Sequence, residues 1–85
     1  MEKGILYFSA PWCEPCGVLT PVIDQLAKEG IKIKKINIDY DAQYTEEFNV
    51  KSVPTLISTD MSGNEIKRVA AGGWSKEQVL NWFNS

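Results

Sequence analysis

Histidine is absent from this 85-residue chain, and cysteine occurs only twice, as Cys13 and Cys16. A structural zinc site needs about four Cys or His ligands, so a zinc site built within one copy can be set aside. The apolar runs are only a few residues long, far short of the roughly 20 that a membrane span requires. No signal peptide or anchor is visible where Met1-Glu2-Lys3-Gly4 leads into a strand-like stretch, and the expected location is the cytoplasm. Basic excess is also lacking: nine Lys and Arg stand against eleven Asp and Glu, a net charge of −2, with no tract to neutralise a run of phosphates. Nucleic acid is therefore not an expected partner. Internal repeats, linkers and low-complexity tracts are missing too, and so short a chain has no room for a second core. One domain over residues 1–85 is expected, with monomer as the default state. What is present, 44% hydrophobic and 24% charged residues, is the balance of a soluble globular protein.

The elements follow from periodicity. Gly4 to Ser9 is a short apolar run rich in β-formers and closed by Ala10-Pro11, which reads as a strand buried on both faces. From Pro15 to Glu29 the apolar positions Val18, Leu19, Val22, Ile23, Leu26 and Ala27 form one wide helical stripe, stopped by Gly30 and bent at Pro21. In Ile31 to Asp39, Ile31 and Ile33 share a face with Lys35, while Ile36 and Ile38 share the other with Lys32 and Lys34. Apolar residues on both sides suggest a covered parallel strand. Asp41 is the expected N-cap of a short helix carrying Tyr44 and Phe48. Thr55 to Thr59 reads as a third strand, Met61-Ser62-Gly63-Asn64 as a hairpin turn, and Glu65 to Ala71 as a fourth strand. Ser75-Lys76-Glu77-Gln78 is a capping box for a last helix with Val79, Leu80, Trp82 and Phe83 on its apolar face. The order β-α-β-α-β-β-α predicts an α/β domain with a mixed four-stranded sheet, the first two strands parallel and the last two antiparallel.

Trp12-Cys13-Glu14-Pro15-Cys16 falls where the first strand gives way to the first helix. Cys13 then sits at or beside the N-cap, where unpaired amides and the positive end of the helix favour its thiolate. It is the expected attacking sulfur. Cys16, one turn along and pointing inward, is positioned to attack a mixed disulfide on Cys13 and resolve it. A purely structural bridge across so short a loop constrains the unfolded chain little, in the region of ~2 kcal/mol.

Phe8-Ser9-Ala10-Pro11-Trp12-Cys13-Glu14-Pro15-Cys16, Pro21, Lys35-Ile36-Asn37-Ile38-Asp39 and Val53-Pro54-Thr55-Leu56 resemble the thioredoxin family, in register over nearly the whole chain. The resemblance implies the thioredoxin fold, a thiol-disulfide oxidoreductase with Cys13 as nucleophile and Cys16 as resolving cysteine, and a cis peptide bond at Val53-Pro54 facing the cysteines. It implies no bound cofactor beyond a redox-active Cys13–Cys16 disulfide. The chain starts at the strand carrying the motif, as in miniature members of glutaredoxin size. Proline without an N–H fits a tight bend before a buried strand, and the Val53 backbone is then free to pair with an extended target peptide. Trp12 is expected to flank the nucleophile as a partly exposed apolar surface, with Trp82 in the core. Gly72 and Gly73 would let a target backbone approach closely.

The chain also departs from the family. Tyr7 stands on the strand where thioredoxins carry a buried aspartate, and with an ordinary pKa of about 10 it is a poor base near neutrality. Lys35 matches a family lysine beneath the active site, where a desolvated ammonium would favour a Cys16 thiolate. Glu14 replaces the usual glycine between the cysteines and should oppose part of the helix-end effect on Cys13. Pro15 before Cys16 is shared with reducing members. The expected activity is protein-disulfide reduction within cell redox homeostasis and electron transport, with thioredoxin reductase as donor and disulfide-containing proteins as targets. Size, Ser52-Val53-Pro54 and Gly72-Gly73 also permit a glutathione-dependent, glutaredoxin-like enzyme. A third alternative is a redox-gated binding module without catalysis.

Overall fold

A computed structural model describes residues 3–85; Met1 and Glu2 lie outside the described residues. The elements are β1 (Gly4–Ser9), α1 (Glu14–Lys28), β2 (Lys32–Asn37), α2 (Ala42–Glu47), β3 (Thr55–Thr59), β4 (Glu65–Ala70) and α3 (Lys76–Asn84). They form one four-stranded sheet in the order β2-β1-β3-β4. β1 runs parallel to β2 and antiparallel to β3, and β3 is antiparallel to β4. The expected mixed sheet is therefore observed, with the two most apolar strands at its centre.

Strand alternation divides the core. Ile5 and Tyr7 of β1 and Leu56 of β3 face Leu19, Ile23 and Leu26 of α1 and Val79 and Phe83 of α3. Phe8 of β1, Ile36 of β2 and Ile57 of β3 face the other way, towards Val50 and the half-buried Tyr44 and Phe48. β1 is thus covered on both faces, as a run without polar alternation requires. β2 is different. It is an edge strand whose Lys32, Lys34 and Lys35 are exposed, and only Ile36 is fully buried. Charged edge residues discourage pairing with another chain. Both faces of the parallel strand still pack apolar residues as expected, Ile31 and Ile33 towards α1 and α3, Ile36 and Ile38 towards Tyr44 and Phe48.

Three corrections concern helices. Val18, placed on the apolar stripe by its spacing, is 61% exposed. The buried line on α1 runs through Cys16, Leu19, Ile23 and Leu26, three or four residues apart, and Val18, turned about 100° from Leu19, falls outside it. Asp41 occupies the N-cap of α2 but makes no side-chain cap; its carboxylate instead accepts from the Asn37 amide. Trp82 lies half-buried at the margin of the core rather than within it. Among the described residues no helix is long and apolar enough to cross a membrane.

Candidate active site

The site forms where β1 ends. The Cys13 amide donates to the Ala10 carbonyl at 3.1 Å, closing a turn that delivers Cys13 to the head of α1. Cys13 is the N-cap residue, in extended conformation, and its sulfur accepts from the Cys16 amide at 3.2 Å. Glu14 and Pro15 fill the first helical positions, where a proline's missing N–H costs no intrahelical bond. Cys13 and Cys16 are joined in a disulfide with Cα atoms 5.3 Å apart. Both are buried, packed with Ala10 and the half-buried Ile38 and Val53. Among the described residues no cluster of three or more potential ligands could hold a metal ion.

Three further segments converge on this bridge. Val53 and Pro54, joined by a cis peptide bond, precede β3, with Pro54 buried and Val53 against the cysteine cluster. Gly72, after β4, lies against both prolines: a Cβ there would stand 3.4 Å from Pro15 Cβ and 3.8 Å from Pro54 Cδ. Gly73 adopts a φ of +76°, a left-handed conformation that favours glycine. The cis bond at Val53-Pro54 that the resemblance implies is present, with Val53 against the cysteines. Trp12 is 65% exposed, and its indole N–H donates to the Asp39 carboxylate at 3.1 Å. Asp39 is steadied in turn by its amide, which donates to the Asn37 side chain at 2.9 Å.

Beneath the bridge, Tyr7 is fully buried. Its hydroxyl lies 2.8 Å from Thr20 Oγ1 and donates to the Cys16 carbonyl at 3.2 Å, while the Thr20 hydroxyl donates to the same carbonyl at 2.8 Å. Burial pushes the Tyr7 phenol above its ordinary value, with smaller opposing effects from Thr20 and Ser9. Tyr7 is thus a hydrogen-bonding anchor and no base. Lys35 does face the same side of the sheet as Tyr7, its register partner. It is not desolvated, however: β2 is an edge strand, and the ammonium reaches out to Asp24 at 2.6 Å with both side chains about half exposed. The expectation of a buried ammonium against Cys16 is corrected accordingly.

Asp39 and Thr20 were not singled out as site residues from the sequence. Thr20 carried a usable signal, four residues after Cys16 and so within reach of its carbonyl along the helix. Asp39 ends the Lys35-Ile36-Asn37-Ile38-Asp39 run that carries the family resemblance, but its contact with Trp12 joins residues 27 apart and no local pattern shows it.

The whole chain, residues 1–85, matches the family described as Thioredoxin. It is similar to the thioredoxin of Chlamydia pneumoniae, 44% identical over 79 residues, covering 91% of this chain and 76% of that protein. It is also similar to the thioredoxin of Rickettsia felis, 36% identical over 80 residues, covering 91% of this chain and 74% of that protein. Among solved structures, a mutant thioredoxin from Halobacterium salinarum superimposes with a TM-score of 0.86 at 25% identity, covering 98% of this chain and 73% of that chain.

Proposed function

The chain belongs to the thioredoxin family and is a protein-disulfide reductase of that type, and from that premise we propose how its residues divide the work. Cys13 is the attacking thiolate. In the dithiol form its sulfur stands at the amide-rich head of α1, where the helix end favours the anion and raises the reactive fraction near neutral pH. It attacks one sulfur of a target disulfide, expels the other as a thiolate, and is left in a mixed disulfide. Cys16 then attacks Cys13 Sγ, closes the bridge and releases the second target sulfur.

Trp12, Val53, Pro54, Gly72 and Gly73 receive the target: the exposed indole offers an apolar surface, the Val53 backbone pairs with an extended segment, and the glycines leave room for it. Glu14 and Pro15 tune the Cys13 thiol, and Tyr7 anchors the turn beneath. No cofactor is held; the bridge is the redox centre. Electrons come from an NADPH-linked thioredoxin reductase, and the protein works as a monomer in the cytoplasm on disulfide-containing proteins.

The observation that carries this reading is Cys13 capping α1 through its own sulfur, with Cys16 one turn behind. Insulin reduction tests it. NADPH with thioredoxin reductase should sustain turnover, Cys13→Ser should abolish it, and Cys16→Ser should accumulate the mixed disulfide. Turnover supported by glutathione alone would assign the glutathione-dependent chemistry instead.

A further inference from the structure

A cleft of about 500 Å³ opens beside the bridge, lined by Ser9, Cys13, Cys16, Gly17, Thr20 and Asn37 among others. At roughly 30 Å³ per molecule it is roomy enough for several waters, and its hydroxyl and amide groups suit them. Apart from the two thiols, none of these side chains can take up a proton near neutral pH. Charged groups and Tyr7 lie around the cleft, but none of them lines it. Tyr7, from β1, gives its hydroxyl proton to the Cys16 carbonyl and is held neutral by its raised pKa. Asp24 of α1 and Lys35 of β2 are paired with each other. Asp39, after β2, holds the Trp12 indole, and Glu14 is exposed on the first turn of α1. Val53, Pro54 and Gly72, facing from the remaining segments, carry no charge.

We propose that this cleft is the exit for the Cys16 proton: water entering between Ser9, Thr20 and Asn37 takes it directly, with no side-chain base between thiol and solvent. The Tyr7–Thr20 pair then has a separate task, holding the Cys16 carbonyl, and with it the turn, through neutral oxygens. Resting on the resolving role given to Cys16 above, the step balances as follows. The Cys16 proton passes to water or hydroxide in the cleft, and the electron pair left on sulfur forms the bond to Cys13 Sγ. The bond between Cys13 Sγ and the target sulfur breaks, and the target leaves as a thiolate that is protonated from solvent. Two electrons pass from the dithiol to the target.

The test is stopped-flow reaction of the reduced protein with excess of an aromatic disulfide that releases a coloured thiolate. The first phase marks the mixed disulfide at Cys13, and the second marks closure by Cys16. Gly17 lies on the exposed face of α1 with open space where a Cβ would be, so Gly17→Leu fits the helix and lays its side chain over the cleft. The ratio of second-phase to first-phase rate should fall about tenfold at neutral pH, and the second-phase pH midpoint should rise by about one unit as the thiolate loses water. Asp24→Asn should leave that midpoint in place. An unchanged second phase in Gly17→Leu, or a midpoint that moves in Asp24→Asn, overturns the cleft as the exit. Absence of any second phase in the unaltered protein overturns the resolving role of Cys16 instead.

Discussion

Residue by residue, the reactivity of this site turns on what stands next to Cys13. The helix end favours a thiolate there, and the neighbouring Glu14 places a carboxylate on the same exposed turn. Like charges in sequence neighbours oppose each other, though exposure to solvent screens most of the effect. Glu14→Gly should therefore lower the Cys13 pKa by a few tenths of a unit, read from the pH dependence of alkylation of the reduced protein. No difference, or a higher pKa in the variant, would remove Glu14 from the tuning of the nucleophile. Lys35 shows the limit of residue-level inference. Its parity gave the correct face of the sheet, but whether an ammonium on that face is buried depends on whether its strand lies at the centre or the edge, and no residue of β2 encodes that by itself.

Elements were legible where their signals are local. The capping box of α3 is present as spelled, with Ser75 Oγ accepting from the Gln78 amide and Gln78 returning a bond to the Ser75 amide. The hairpin after β3 is closed by a neighbouring residue: Asp60 accepts from the amides of Ser62 and Asn64, each at 2.9 Å, with Gly63 at a φ of +87°. Where an element's end is fixed across the fold, the sequence is silent. The C-terminal carbonyl of Phe48 receives its bond from Arg68 of β4 at 2.7 Å, a pairing that exists only once the sheet has formed. The turn yields a prediction with a sign. Its amides, that of Asn64 foremost, hold the Asp60 carboxyl below its ordinary range. A depressed folded pKa contributes stability above the unfolded value and loses it as pH falls through the folded one. The unaltered protein should therefore be more stable than Asp60→Asn at neutral pH, and the two denaturation midpoints should converge below roughly pH 3 to 4, the usual carboxylate range. A gap that persists unchanged into acid would show that the charge contributes nothing there.

For the whole molecule, stability depends on two thin half-cores that share β1 and β3. A domain of this size has only about 4 to 13 kcal/mol to lose, at ~0.05 to 0.15 kcal/mol per residue. Leu56 on central β3 is fully buried among the α1 and α3 side chains. Leu56→Ala should cost about 2 to 5 kcal/mol, and with 4 to 8 °C lost per kcal/mol the melting midpoint should fall by roughly 10 °C or more. Val18 makes the opposite case. Its spacing places it beside the apolar stripe, yet it stands about 100° around α1 from the buried line of Cys16, Leu19, Ile23 and Leu26 and is exposed. Val18→Ala removes no buried contact and replaces a β-branched residue with the best helix former. Its midpoint should stay within about 3 °C of the parent or rise slightly, as expected for a change below ~0.5 kcal/mol. Thermal denaturation of the oxidised proteins side by side decides the matter. A loss from Val18→Ala approaching that from Leu56→Ala would mean that this flank of α1 is packed against something, and that the apolar stripe is as wide as its spacing in the sequence suggests.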